Sequence, residues 1–444
     1  MIRFFKSLYL PTRFFVALIT CAIGFILCFI FDSFFFTMQV LFGVMVLLVL
    51  LDILVIFLPS KAIECKRICP DRLSNGDENK ISIWIFSKYT SSITLNVVEE
   101  APFQFQMRNL DFETKIQANT EKIIHYNLRP TKRGEYSFGA VNVFVRSFIG
   151  LVQKRYRFDE HKQVAVYPSF IEMHKYELMA ASNRLTDIGI KKIRRLGHAT
   201  EFEHIKPYVM GDDPRTINHK ASARASQLMV NTYQEEKSQQ VYCLIDKGRA
   251  MEMPFNGMTL LDYAINSCLM VSSTALNKSD KAGLITFSNQ IDQIVPADRQ
   301  RRQRNLIMET LYAQKTQFKE SDYERLYITI KQKLNQRSLI ILYTNFETVN
   351  GMRRQLKYLS RLAKDHLVLV SFFLNSEFND VLSMNPQNIG EIFKKGIAEK
   401  LSHDKQLIIK ELNRHGIHAL LSAPENLTIN SMNKYLEFKS RGLI

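Results

Sequence analysis

Residues 1–60 restrict this chain more than any other stretch. Thr12 to Phe31 is an apolar run, roughly 20 residues long, the length of one bilayer crossing in helical form. Phe34 to Leu58 is a second, interrupted by Gln39 and Asp52, and Asp32-Ser33 separates the two. Two helices joined by a tight turn, a transmembrane helical hairpin over 1–60, are expected. Arg3, Lys6 and Arg13 flank one end, and Lys61, Lys66 and Arg67 flank the other. Positive residues stay on the cytoplasmic side. A two-pass protein is therefore expected, with both ends and the bulk of the chain after Pro59 in the cytoplasm. No small-residue cleavage site follows the first run, which argues against a signal peptide. Asp52 lies about 9 Å along a helix from Leu58. It is expected to snorkel at the interface or pair with Lys61, with a polar contact between helices as the alternative.

A chain of 444 residues suits two or three domains. Lys and Arg total 59 against 43 Asp and Glu, a net charge of +16. That balance suits nucleic acid, anionic lipid or an acidic partner, and for a membrane-anchored chain the lipid surface is the simplest of these. Nucleic acid is not the expected partner. The six cysteines read as reduced thiols in a reducing compartment. Cys65 and Cys69 lack a second Cys or His pair that would complete a zinc site.

From 61 to 168 the pattern becomes short β-branched and aromatic runs: Ile81 to Phe86, Ile93 to Val98, Lys122 to Leu128 and Ala140 to Val145. Turn signals at Ser74-Asn75-Gly76-Asp77, Pro130 and Arg133-Gly134 separate them. Such spacing predicts a β-sandwich module, with Trp84 as a core anchor. Its role is to space, present or bind another protein. Residues 169–200 read as a basic linker, with Lys191, Lys192, Arg194 and Arg195. It is either a solvated connection or a contact with lipid headgroups or an acidic partner.

The region 201–444 alternates strands and helices. Strands are expected at Val241 to Ile245, Gly283 to Ser288, Ser338 to Thr344, His366 to Leu374 and His418 to Ala423. Helices are expected at Thr259 to Asn277, Arg299 to Ala313, Tyr323 to Asn335, Gly351 to Lys364, Ile389 to His415 and Ser431 to Phe438. This order predicts a mostly parallel sheet covered on both faces. Asp246 closes the first of these strands, and an acid at a strand's carboxyl end is where open α/β sheets place ligands.

The order of elements resembles the von Willebrand factor A fold. The string GDDPRTINHKASAR (Gly211 to Arg224) resembles the signature of a bacterial family, the domain-of-unknown-function family numbered fifty-eight. Further segments fit it: Thr131 to Val145, Ser147 to Leu151, Val166 to Phe170, Thr200 to Asp213, Tyr233 to Glu236 and YLEFKSRGLI at the carboxyl end. The resemblance implies a bacterial inner-membrane protein with a von Willebrand factor A-like α/β domain. Its implied partners are a MoxR-type AAA+ ATPase and other membrane A-domain proteins. It points to Gly211, Asp212, Asp213, Arg215, Ala223, Arg224 and Asp246 as binding residues of the family motif. The family commonly has Trp where His219 stands. A domains carry Asp-x-Ser-x-Ser at the first strand end, but here Asp246 is followed by Gly248 and Ala250. Asp246 is thus a remnant of an ion site, with Ser321 or Asp322 and Asn345 as weak further ligands. A hard cation wants about six oxygens. No cofactor is expected, and Mg²⁺ is the weaker alternative.

Other chemistry is sparse. Asp212 and Asp213, with Asp246, could serve a metal-dependent hydrolase. However, Asp212-Asp213-Pro214 is also a turn starter or helix cap, and with Arg215 and Arg224 it is expected to form a structural ion-pair network. His219 has no nucleophile motif beside it. No Gly-rich phosphate loop is present, so ATP hydrolysis would belong to a partner. Arg299, Arg301, Arg302 and Arg304 open a helix, against its dipole, which hints at a binding surface. The expectation is a non-enzymatic, membrane-anchored scaffold or adaptor acting in assembly or envelope maintenance. The alternatives are the hydrolase and an anionic-lipid binder.

Overall fold

The computed structural model describes residues 2–30, 35–59, 62–107, 110–181, 200–235, 238–300, 302–374, 381, 382, 384, 386 and 388–444. It divides into two compact units, Met1–Tyr167 and Pro168–Ile444.

The first unit opens with α1 (Ile2–Ser7), β1 (Leu8–Tyr9), α2 (Thr12–Ile30) and α3 (Phe35–Phe57). By length and composition α3 can cross a membrane, whereas the apolar part of α2, Thr12–Cys28, is shorter. The two helices meet at Phe25, whose ring centroid is 6.0 Å from that of Phe42. They also meet at Gly24, where any Cβ would run into the Met38 side chain; a small residue lets helix backbones approach closely. The expected turn at Asp32-Ser33 and the flanking Lys61 lie outside the described residues. Asp52 does not snorkel. It is fully buried and accepts hydrogen bonds from Leu151 N and Val152 N, 2.8 Å each, and from Ser147 Oγ. Burying a carboxylate requires such donors, and a loop far along the chain supplies them.

The strands of this unit are β2 (Ile63–Ile68), β3 (Arg72–Ser74), β4 (Asn79–Ser87), β5 (Ile93–Glu99), β6 (Asp111–Ile116), β7 (Glu121–Leu128), β8 (Gly134–Phe138), β9 (Val141–Arg146), β10 (Gln153–Phe158) and β11 (Lys162–Tyr167). They form sheets in the orders β1-β10-β9-β5-β6, β2-β4-β7 and β3-β11-β8. One core joins them, with Ile81, Ile83 and Ile85 of β4 meeting Leu95, Val97, Val143 and Val145. Side chains alternate between faces along a strand, so burying these isoleucines turns Trp84 outward. Trp84 is therefore not a core anchor. It is half-buried, stacks on Phe86 with centroids 6.2 Å apart, and donates to Glu121 Oε2 at 2.8 Å. Inside the core, Arg67 and Glu99 pair at 2.5 Å. Burial outweighs the attraction of Arg67 and pushes Glu99 up to about 7. All six cysteines are free thiols, and burial pushes Cys65 to about 12 and Cys69 to about 11.

The second unit begins with α4 (Phe170–Ala181), in the first part of the segment expected to be a linker. Its Met173 and Tyr176 belong to the core, so this part is folded. The stretch with Lys191, Lys192, Arg194 and Arg195 lies outside the described residues. There follow β12 (Thr200–Pro207), α5 (His219–Ala225), β13 (Met229–Glu235), β14 (Gln240–Asp246), β15 (Pro254–Phe255), β16 (Met258–Thr259), α6 (Leu260–Asn277), β17 (Lys281–Phe287), β18 (Ile291–Asp298), α7 (Arg302–Tyr312) and α8 (Tyr323–Lys333). The chain ends with β19 (Leu339–Tyr343), α9 (Val349–Asp365), β20 (Leu367–Phe373), α10 (Ile389–Arg414), β21 (His418–Ser422) and α11 (Leu427–Ser440).

The main sheet runs β18-β17-β14-β19-β20-β21. Its pairs are parallel except β17 with β18. β18 was not among the expected strands; it is an edge strand, largely half-buried, that mixes polar with apolar residues and contains Pro296, a residue that suits an edge. Along β14, Val241, Cys243 and Ile245 enter one core while Tyr242 and Leu244 enter the other. Burial on both faces explains its unbroken apolar run. The order reverses at β14, between β17 and β19, which puts the crevice of a doubly wound sheet at the carboxyl end of β14.

Candidate functional site

Asp246 stands at that crevice and is filled from within. Its Oδ1 accepts from Gly248 N at 2.8 Å and from Ser321 Oγ. Its Oδ2 accepts from Thr344 Oγ1 at 2.6 Å and Tyr323 OH at 3.2 Å. The Tyr323 and Thr344 oxygens are themselves 2.8 Å apart. Burial raises the Asp246 carboxyl above its ordinary range despite these donors, because desolvation disfavours the charged form. Gly248 permits the closure, since a Cβ there would overlap Ser321 Oγ. The glycine that departs from Asp-x-Ser-x-Ser thus makes room for a hydroxyl arriving from another loop.

The neighbouring groups are also committed. Lys247 Nζ pairs with Asp292 at 2.9 Å. Lys405 of α10 reaches Asn345 Oδ1 at 2.9 Å and Phe346 O at 2.6 Å, and burial pulls its ammonium down to about 8. Asp322 caps α8, accepting from Arg325 N at 2.9 Å. Of the three further ligand candidates, Ser321 therefore meets Asp246, while Asp322 and Asn345 hold other groups. One carboxylate biased toward its neutral form, with three hydroxyls already bonded to it, suits a hard divalent cation poorly. Among the described residues no cluster of three His, Cys, Asp or Glu could hold a metal, so Asp212, Asp213 and Asp246 are not gathered. Thr344 was within reach of sequence reasoning: Ile245 pairs with Tyr343, so the next residues lie side by side. Tyr323 and Lys405 gave no such signal, because they arrive on separate helices.

The other family-motif residues lie elsewhere, on an arm. β12 and β13 form an antiparallel ribbon from Thr200↔Glu235 to Pro207↔Met229. Between them, Gly211 has φ +115°, a conformation that favours glycine. Asp212 accepts from Val209 N at 3.0 Å and Lys206 Nζ at 2.9 Å, and the Val209 amide and Lys206 hold its carboxyl below the ordinary range. Asp213 caps the turn Pro214–Thr216, accepting from Arg215 N at 3.0 Å. Asn218 caps α5 through Ala221 N at 3.0 Å and donates to Asn231 Oδ1 at 2.8 Å.

The expected ion-pair network of Arg215 and Arg224 is not formed among the described residues. Backbone amides and Lys206 already occupy the acids. Arg215, His219, Ala223 and Arg224 are exposed, as are Val209, Leu228 and Met210, the last at 98%. By contrast Arg304, from the cluster that opens α7, pairs with Glu177 at 3.0 Å and is structural. Arg301 lies outside the described residues.

A stretch of 122 residues is 28% identical to the Bacillus subtilis (strain 168) protein described as "Uncharacterized protein YeaD", spanning 28% of this chain and 30% of that relative. The crystal structure of the conserved hypothetical protein BatB from Bacteroides thetaiotaomicron aligns with a TM-score of 0.30 and 12% identity, covering 46% of this chain and 100% of that one. An aerotolerance-related membrane protein from Bacteroides fragilis NCTC 9343 aligns with a TM-score of 0.30 and 11% identity over the same shares. Residues 204–377, which hold the arm, Asp246 and its donors, match the family described as "Protein of unknown function DUF58".

Proposed function

We propose that this chain is a membrane-anchored, non-enzymatic scaffold of a bacterial inner membrane, crossing it twice with its bulk in the cytoplasm. In this reading the second unit is a von Willebrand factor A-like domain that works without a metal, and the arm from Gly211 to Arg224 docks a partner protein. A MoxR-type AAA+ ATPase is the first candidate partner, and other membrane A-domain proteins are the second. One observation carries the reading. The two acids of the arm accept from nearby amides and Lys206, while apolar and cationic side chains stay exposed at Met210, Arg215 and Arg224. Exposed apolar side chains rimmed by charge mark contact surfaces, and arginine is favoured in them.

The test is affinity purification of the full chain from gently solubilised native membranes. Wild type, Met210→Asp with Arg224→Glu, and Asp246→Asn are compared by mass spectrometry of co-purifying proteins. An AAA+ ATPase recovered with wild type and Asp246→Asn, and lost with the arm variant, supports the reading. Equal recovery with the arm variant removes the arm from the interface.

A further inference from the structure

Four consecutive amides in the loop between β9 and β10 are bonded to side chains. Ile149 N and Gly150 N donate to Ser147 Oγ at 3.1 and 3.5 Å, and Leu151 N and Val152 N donate to Asp52 Oδ2 at 2.8 Å each. Ser147 Oγ in turn donates to Asp52 Oδ1. Asp52 lies more than one turn inside the carboxyl end of α3, about 7.5 Å along its axis. The loop is thus fixed alongside the apolar helix rather than beyond its end. At its tip Phe148 is 86% exposed. The exposed Arg13 guanidinium lies beside Gly150, while the buried Lys154 ties β10 to the end of α3, its Nζ donating to Ile56 O at 3.4 Å and Pro59 O at 3.2 Å.

We infer that the loop Ser147–Val152 is seated in the membrane boundary that α3 enters, with Phe148 in lipid and Asp52 as its anchor. The inference rests on the reading of α3 as a membrane span. Irregular backbone at membrane depth must have its amides satisfied within the protein, and here Ser147 and Asp52 satisfy four. An exposed Phe side chain buries favourably at the headgroup–acyl boundary, and a long cationic side chain such as Arg13 reaches headgroups from that depth. A loop designed for water would have no need to bring its amides to a carboxylate inside an apolar helix.

The test uses the full chain in vesicles of phosphatidylcholine and phosphatidylglycerol. Trp84→Phe removes the one tryptophan. Phe148→Trp or, separately, Val44→Trp in mid-α3 is then introduced. Vesicles carry bromine on the acyl chains, near the headgroup or near the methyl end. Phe148→Trp should emit to the blue and lose most of its emission to the shallow bromines, while Val44→Trp loses it to the deep ones. Quenching of Val44→Trp without quenching of Phe148→Trp overturns the inference and leaves the span standing. No quenching of either overturns the span and the inference with it. The unsubstituted chain supplies a second readout with photoactivatable acyl-chain lipids. Adducts on the peptide holding 147–152 are expected beside those on α3, and adducts on α3 alone overturn the inference.

Discussion

Within one stretch, Gly211 to Asp246, the chain handles acidic side chains in two opposite ways. Asp212 and Asp213 sit on an arm in water and accept from nearby amides and Lys206. Asp246 sits in the core and accepts from hydroxyls brought by loops and helices distant in sequence. The first arrangement is local and leaves the surrounding surface free for contact. The second is global and leaves little of the carboxylate for anything else. In the proposed reading the arm binds and the strand end is architectural, and variants at the two places should separate accordingly.

The largest effect should come from Asp246→Ala. It leaves the Ser321, Thr344 and Tyr323 hydroxyls without their acceptor in a buried site, a loss of about 3 kcal/mol. Denaturant unfolding of the full chain in detergent measures it, and an unchanged midpoint would break the comparison. Next is Gly248→Ser, which forces Ser321 away from Asp246 and should cost about 2 kcal/mol by overpacking. Adding Ser321→Ala should recover part of that loss, and simple additivity of the two would show that the residues do not compete for space.

A pH effect follows. The folded-state carboxyl of Asp246 is raised above its unfolded value, so the native state binds more protons. Its contribution to stability is therefore present at acid pH and is lost as pH rises from the ordinary carboxylate range. Asp246→Asn should flatten that part of the stability profile. Glu99 should act the same way in the first unit, between the ordinary 4.5 and about 7, and Glu99→Gln should remove that slope. The smallest effect should come from Arg224→Glu, within about 0.5 kcal/mol of wild type. A loss comparable to that of Asp246→Ala would mean that the arm is structural after all.

Periodicity made much of the fold legible. The alternating isoleucines of β4, the continuous apolar run of β14 and the helical pattern of α6 each report a local burial requirement. Asp246 was identifiable because an acid ending an apolar strand stands out. β18 was not, because a half-buried edge strand has no clean alternation. Trp84 was misplaced by residue type alone, although the spacing of its isoleucine neighbours fixes its face. The donors to Asp246 were only partly legible: Ser321 was among the ligand candidates, but Tyr323 was not.

By itself, the sequence determined which segments are apolar on one face, on both faces or throughout, and so the order of helices and strands. Those patterns depend on each residue's immediate neighbours along the chain. Tertiary structure alone decided where Asp52 and Asp246 find their donors. Asp52 draws on a loop about a hundred residues away, and Asp246 on one 75 residues away and on a neighbouring strand end. A buried carboxylate must be satisfied by whatever packs against it. That partner is set by how the elements pack in space, which no local pattern records.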